Sequence, residues 1–426
     1  MNKKKSYILT GGRVVDPFRG IDAVMDIGVM DGVIVEPENV VNPETIDVSG
    51  LIVAPGFIDM HVHLRQPGNH AAETIATGTM AAAAGGFSGI VPMPNTSPAA
   101  DTPGAIEYIK RHTEREGKVK VYPCGCMTKN LEGKEMAGIG SLKAAGVVAV
   151  SDDGKCIQNH ELMRHVAEYT ASFGLPILDH CEDDCLKGEG VMHEGVWSVL
   201  LGMQGISSAS EELMIARDII MSRMSGCRIH IQHLSCQEGV SMIRHAREKG
   251  ILISAEVTPH HISLTDECIK KFDTNYKMNP PLRSEYDRQA LIQGLADGTI
   301  TVIATDHAPH TATAKLVEFD YAPFGIVGLE TAIPVCLSEL YHTGVLSISS
   351  FVSKFTVGPA EILGFKNKSL AAGNPADITI IDLNREFTVD ASKFYSKSRN
   401  TPYNGMTFKG KAVATVVDGK FVFSEL

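Results

Sequence analysis

From Phe57 to about residue 310, short runs of β-branched and other apolar residues alternate with longer stretches of helical character. That alternation is the pattern of repeated βα units, an α/β arrangement built on a parallel sheet. The predicted strands end near His63, Asn95, Cys126, Asp153, His180, His233, His260 and Asp306. Their spacing is fairly regular, with longer gaps from His180 to His233 and from His260 to Asp306 that must hold insertions or long loops. Eight such units point to a (β/α)8 barrel of the TIM type. The flanks differ. Residues 6–54 carry short, turn-punctuated strands (8–15 and 26–29), and residues 375–426 carry more (376–382 and 412–417). Neither flank is large enough for a core of its own. Residues 1–54 and 366–426 are therefore predicted to pair into one small β-domain beside a barrel over 55–365.

The apolar run from Leu51 to Ile58 ends in Asp59-Met60-His61-Val62-His63. Two histidines at i and i+2 on a strand point to the same side, so both imidazoles can reach one metal ion. Alone, the pair is a weak signal, because half-buried strands carry ordinary histidines too. In a (β/α)8 barrel, however, functional side chains sit at the C-terminal ends of the strands, and metal-type residues recur there. His61 and His63 end the first strand, Asp153 the fourth, His180 the fifth, His233 the sixth and Asp306 the eighth. Polar residues with a purely structural role have no reason to gather at the same pole of five strands. Six ligands exceed what one tetrahedral zinc needs, whereas two ions sharing a bridging carboxylate use them all. Two carboxylates leave two divalent cations only half neutralised, which favours a hydroxide nucleophile and an anionic substrate. That chemistry suits hydrolysis of an unactivated amide, or its reversal.

Bulk properties narrow the field. The 426 residues, 44% hydrophobic and 21% charged, describe a globular chain with room for one large domain and a smaller one. A net charge of −11 argues against a nucleic-acid partner and against attraction to an anionic membrane. Lys3-Lys4-Lys5 resembles the start of a signal peptide, but Ser6 to Gly12 offers no adequate apolar stretch. No apolar run is long enough to span a bilayer. Nine cysteines, an odd number without a tight framework, fit a reducing cytoplasm. Cys124, Cys126, Cys181 and Cys185 lack the spacing of a structural zinc site and read as core residues.

Over nearly its whole length the chain resembles the amidohydrolase superfamily and, within it, the bacterial class I dihydroorotases. The resemblance is carried by Asp59-Met60-His61-Val62-His63-Leu64-Arg65-Gln66-Pro67-Gly68, Met93-Pro94-Asn95-Thr96, Asp152-Asp153-Gly154, Asp179-His180-Cys181-Glu182, Ile231-Gln232-His233, Asn279-Pro280-Pro281-Leu282-Arg283 and the run from Ala304 to His310. It implies a pair of zinc ions (Zn2+) held by His61, His63, Asp153, His180, His233 and Asp306, with Asp306 also shuttling the proton. It further implies that Arg65, Asn95 and His310 grip a substrate carboxylate, while Asn279 and the backbone at Phe324 and Gly325 contact the ring. The activity implied is reversible interconversion of N-carbamoyl-L-aspartate and L-dihydroorotate in pyrimidine synthesis. A homodimer and an association with aspartate transcarbamoylase stay open. Arg65 lies two residues beyond His63, so the strand alternation leans it toward the same site.

Two departures and several rivals bear on this reading. Gln66 stands where the family commonly has Glu, at a position outside the ligand set. Many binuclear relatives, hydantoinases included, bridge their metals with a carboxylated lysine, where this chain has Asp153. Lys155 bridges only if the strand register shifts by two. The nearest rival is another cyclic amidase, an allantoinase or hydantoinase, for which a carboxylate clamp has no use. A rival of another class is a non-catalytic scaffold homologue, which loss of ligands would betray. Among the other histidines, His230 reads as a hydrogen-bonded core residue and His307 as structural. His260 and His261, at the end of the seventh strand, either line the site or simply pack. Residues 311–321 follow the eighth strand and read as a mobile lid.

Overall fold

The structure, a computed structural model, describes residues 6–426, so Lys3, Lys4 and Lys5 lie outside the described residues. Phe57–Val62 pairs in parallel with Phe87–Pro92, which pairs with Lys120–Val121. A second sheet runs Cys124–Cys126, Ala149–Ser151, Ile177–Asp179, Ile229–Ile231, Ile253–Val257 and Val302–Ile303, each strand parallel to the next. Every residue of Phe57–Val62 and Phe87–Pro92 is buried, so neither strand has a solvent-facing side. Helices cover the outside. Gln237–Glu248 buries Gly239, Val240, Ile243 and Ala246, a stripe at helical spacing, and turns its charged residues outward. Thr102, Asn159 and Ser284 cap the helices Pro103–Glu116, His160–Ser172 and Glu285–Ala296 by accepting a backbone N–H.

The two long gaps hold insertions. Between His180 and His233 lie Asp184–Lys187, Val196–Leu201 and the long helix Ser208–Ser225. The second gap differs from the prediction at its start. The strand ends at Val257, and Thr258 then caps a short helix, Pro259–Ser263, which carries both His260 and His261.

Strands from both ends of the chain share one six-stranded sheet, ordered Lys420–Ser424, Thr407–Val417, Ile378–Thr388, Ile52–Pro55, Arg13–Asp16 and Ile21–Val24. The junction is antiparallel, with Ile378 opposite Pro55 and Ile381 opposite Ile52. A separate four-stranded sheet is made by the first flank alone, from Tyr7–Thr10, Ile27–Met30, Val33–Val35 and Glu44–Asp47. Tyr7, Leu9, Val14, Val53, Ile378 and Val416 form the core between them. All nine cysteines are unpaired. Cys124, Cys126 and Cys181 are buried as predicted, but Cys185 is exposed, because it lies on the outer turn of Asp184–Lys187. Among the described residues no helix is long and apolar enough to cross a membrane.

Candidate active site

The six predicted ligands converge just past the strand ends. His61 is the fifth residue of Phe57–Val62, and His63 extends the same ladder through its N–H, 2.9 Å from the His307 carbonyl. Asp153, His180, His233 and Asp306 each follow their strand by one to three residues. Three groups of ligand atoms form, each with its atoms within 4.8 Å of one another: His61, His63 and Asp153; Asp153, His180 and His233; His61, His233 and Asp306. His61 Nε2 lies 3.3 Å from Asp153 Oδ1 and 3.5 Å from Asp306 Oδ1, and His63 Nε2 is 2.9 Å from Asp306 Oδ1. Asp153 Oδ1 is 3.9 Å from both His180 Nδ1 and His233 Nε2. His233 and Asp306 reach the cluster from left-handed backbone, φ 33° and 46°. Such conformations are costly away from glycine and gather where function over-determines the chain.

The electrostatics call for cations. Burial works to strip a proton from His61, yet Asp306, Asp153 and Glu256 together outweigh it and hold its pKa well above the ordinary value. Burial likewise favours protonated Asp153 and Asp306, but the surrounding imidazoles, His61 foremost, keep both carboxyls well below their usual range. A site that pulls positive charge so strongly onto buried imidazoles has the donor chemistry of a divalent-metal centre. His233 Nδ1 and His260 Nε2 are buried polar atoms without a hydrogen-bond partner.

Glu256 and Glu182, to which the sequence reading assigns no role, steady the ligands, and so does Asn95, expected on the substrate carboxylate. Glu256, in the strand Ile253–Val257, places Oε1 2.7 Å from His61 Nδ1. Asn95 accepts at Oδ1 from His63 Nδ1, 2.9 Å, and donates from Nδ2 to Asp153 Oδ2, 3.1 Å. Glu182 lies 3.6 Å from His180 Nε2, accepts from Asn279 Nδ2 at 2.8 Å and pairs with Lys187 at 2.5 Å. Behind His180, Asp179 and Asp218 are bridged by the buried Arg217 guanidinium. An acid inside an apolar strand was the available signal for Glu256.

A cavity of about 270 Å³ opens above the ligands, lined by Arg65, Asn95, Asn279, His310, Phe324 and Gly325, with Lys187 in addition. Arg65 arrives differently from the prediction. Its strand has ended at Val62, and a left-handed residue, φ 56°, turns it into the cavity, where Nε donates to the Pro309 carbonyl at 3.1 Å. His310 Nε2–H donates to the Phe324 carbonyl, 2.7 Å. Burial first, then the charges of Arg65 and Lys315, pushes His310 down to about 3. Lys155 is exposed and Asp153 buried, so the aspartate and not the lysine faces His61 and His63. Gln66 accepts from Ile75 N and contacts Tyr108 and His112, away from the ligands. His307 bonds Glu73, and His261 bonds Thr258 and the Pro280 carbonyl; both are structural. Within 311–321, Lys315 and Phe319 are buried, while Leu316 and Tyr321 stand in solvent.

A dihydro-orotase-like family model matches residues 50–239. The dihydroorotase of Acetivibrio thermocellus is 46% identical over 421 residues, 98% of this chain and 99% of that protein. The chain belongs to the dihydroorotase family. As a member it is a metal-dependent cyclic amide hydrolase. The dihydroorotase of Pelotomaculum thermopropionicum is similar at 48% identity, covering 98% of each chain. Among solved structures, the L-hydantoinase (dihydropyrimidinase) of Arthrobacter aurescens superposes with a TM-score of 0.88 at 26% identity, over 99% of this chain and 96% of that one. The dihydropyrimidinase of Brevibacillus agri superposes at 0.86 with 22% identity, over 98% and 95%, which establishes the shared fold. This dihydroorotase-family chain and the hydantoinases thus share one framework.

Proposed function

We propose that the chain interconverts N-carbamoyl-L-aspartate and L-dihydroorotate, with two zinc ions held by His61, His63, Asp153, His180, His233 and Asp306. The observation that carries this reading is the convergence of all six side chains in three overlapping groups, in which Asp153 is the carboxylate shared between two. A carboxylate has two oxygens and can face two ions at once. The same reading joins the parallel strands into one closed eight-stranded barrel. Val62 bridges His307 in parallel, and Lys120–Val121 and Cys124–Cys126 are two parts of one stretch of chain. Residues 55–365 then form the barrel, and 1–54 with 366–426 form the smaller β-domain. The buried, unpaired cysteines are consistent with a cytoplasmic protein.

When bound, divalent ions supply carbonyl polarisation and a nucleophile at neutral pH. The chain's own groups do the rest. Asp306 is an unprotonated carboxylate facing both the ligands and the cavity, so it takes the nucleophile's proton and delivers it to the departing ring nitrogen. Ring closure reverses the transfer. Arg65, which stays charged, offers its guanidinium to the substrate carboxylate. His310 is neutral, with Nε2–H committed to Phe324, so it shapes that end of the cavity while the charge of the grip comes from Arg65. Asn279 and the backbone at Phe324 and Gly325 face the ring.

The test combines metal content with substrate choice. Purified protein should hold two zinc ions per chain and turn over dihydroorotate in preference to dihydrouracil, hydantoin or allantoin. Asp153→Ala should lose one or both ions, and Lys155→Ala should keep them without added bicarbonate. Metal lost only on replacing Lys155, or faster turnover of hydantoin, would give the chain to the hydantoinase reading.

A further inference from the structure

Beneath the ligand-bearing rim, a chain of polar side chains runs through the barrel interior toward the opposite pole. Glu256 is fully buried. Its Oε1 lies 2.7 Å from His61 Nδ1 and 3.3 Å from the His233 backbone N, and its Oε2 lies 3.2 Å from His230 Nε2. His230 Nδ1 is in turn 2.8 Å from Ser254 Oγ. At that far end His230 and Ser254 line a second cavity of about 160 Å³, together with Arg228 and Ile362.

The protons along this chain have one consistent arrangement. A carboxylate only accepts, so His61 donates Nδ1–H to Glu256, its nearest partner at 2.7 Å with the Gln232 amide at 3.1 Å, and turns Nε2, the atom that would face a metal, toward Asp153 and Asp306. By the same logic His230 donates Nε2–H to Glu256, which leaves Nδ1 to accept the Ser254 hydroxyl proton. All the acceptors of Glu256 that face protein are satisfied, as a buried carboxylate requires. A histidine present only for packing needs no fixed tautomer; this one is held from both sides.

We propose that Ser254, His230 and Glu256 form a positioning relay that sets the tautomer and ring orientation of His61, so that metal affinity depends on a histidine that touches no ligand. The proposal rests on the reading of His61 as a metal ligand. Partners of metal-bound histidines are worth roughly 10- to 100-fold in affinity, and the relay extends that dependence one residue further.

The experiment is competition of Zn2+ between a chromophoric chelator and the full-length apoprotein, with folding followed by circular dichroism. His230→Phe keeps an aromatic ring but no donor, and should weaken Zn2+ binding by about 10-fold. His230→Gln restores an N–H toward Glu256 and should stay within about threefold of wild type. Affinity within threefold for His230→Phe overturns the relay, as does a His230→Gln protein as weak as His230→Phe. Should His230→Phe fail to fold, Ser254→Ala decides: a loss of about threefold is expected, and unchanged affinity overturns the proposal. A wild-type protein that binds no Zn2+ overturns the metal reading itself, an outcome distinct from wild-type binding without the variant effects.

Discussion

The two walls of the active-site cavity are built by different means. The ligand wall hangs directly from parallel strands, so the sheet ladder fixes each side chain within three residues of a buried strand end. The facing wall, made of Asn279, His310, Phe324 and Gly325, belongs to irregular chain, and side chains do there what the ladder does opposite. Lys315 Nζ donates to the carbonyls of Thr274 and Pro323, at 2.9 and 2.8 Å, and Lys277 Nζ to those of Phe319 and Asp320, at 2.7 and 2.9 Å. Asn400 donates to the Ala308 and Gly325 carbonyls, both at 3.0 Å, and accepts from His310 N. A buried loop must satisfy its backbone groups somewhere, and two buried ammonium groups and one amide do so here. The ligand wall is thus held by the sheet ladder, whereas the substrate wall depends on a few polar anchors.

The largest effects are expected on the ligand wall. Asp306→Asn keeps the shape and an oxygen toward the metals but cannot accept a proton, so kcat should fall roughly 10²- to 10⁴-fold with much of the metal retained. Near wild-type turnover with full metal content would remove Asp306 from proton transfer. Next comes Arg65, which stands between the two walls. Losing its charge-assisted contact to a carboxylate in a desolvated pocket should cost about 2–5 kcal/mol, about 30-fold to several thousand-fold in kcat/KM. Arg65→Met should leave zinc in place, and should barely affect the poor turnover of dihydrouracil, which has no carboxylate. An equal loss on both substrates would show that Arg65 serves the fold rather than the clamp.

On the loop wall the effects should be smaller and fall on binding. Lys315→Met unties Thr274 from Pro323, and KM should rise by about 10-fold, the worth of one or two hydrogen bonds to a charged group, while kcat and metal content change little. A fall in kcat with unchanged KM would contradict the division between the walls. The gentlest probe is pH. Burial, then the charge of Lys277, pushes Lys315 down to about 7, and burial pushes Lys277 down to about 8. Between those values and the ordinary lysine pKa, the unfolded chain binds protons that the folded chain has released, so the two lysines contribute stability that grows with pH across about pH 8 to 10, against the buried cysteines such as Cys124 and Cys156, whose raised pKa works the other way. Each lysine adds at most about 1.4 kcal/mol per pH unit. Denaturant titrations of Lys315→Met should show a shallower rise; an unaltered slope would mean that Lys315 keeps its proton.

What could be read from the sequence follows the same division. His61, His63, Asp153, His180, His233 and Asp306 were legible because strand ends recur and because alternation fixes the side to which a residue points. Arg65 lines the cavity through a left-handed turn and not through the strand alternation that leans it there in the sequence. Glu256 went unseen because its bond to His61 joins residues 195 apart, and periodicity carries no information about such pairs. Asn400 and the two lysines were illegible for the same cause. Their partners are main-chain carbonyls, which every residue possesses. The reading of 311–321 as a lid came from its position after the eighth strand, whereas the burial of Lys315 and Phe319 depends on the segment around Thr274 and Lys277.

The sheet shared by the two flanks bears on the order in which the chain acquires its shape during synthesis. Ile52–Pro55 leaves the ribosome early, but its antiparallel neighbour Ile378–Thr388 follows only after the whole set of parallel strands has been made. Phe57 and Thr379, bonded through N and Oγ1 at this seam, are 322 residues apart. Until then the early segment presents an open strand edge, a template for pairing with another chain. Contacts so distant along the chain form slowly, because their closure entropy comes before their reward. One edge of the part of the protein translated first is therefore among the last to reach its final pairing, and a ribosome-bound chain halted before residue 378 would carry the six candidate ligands while still lacking the strand that seals that edge.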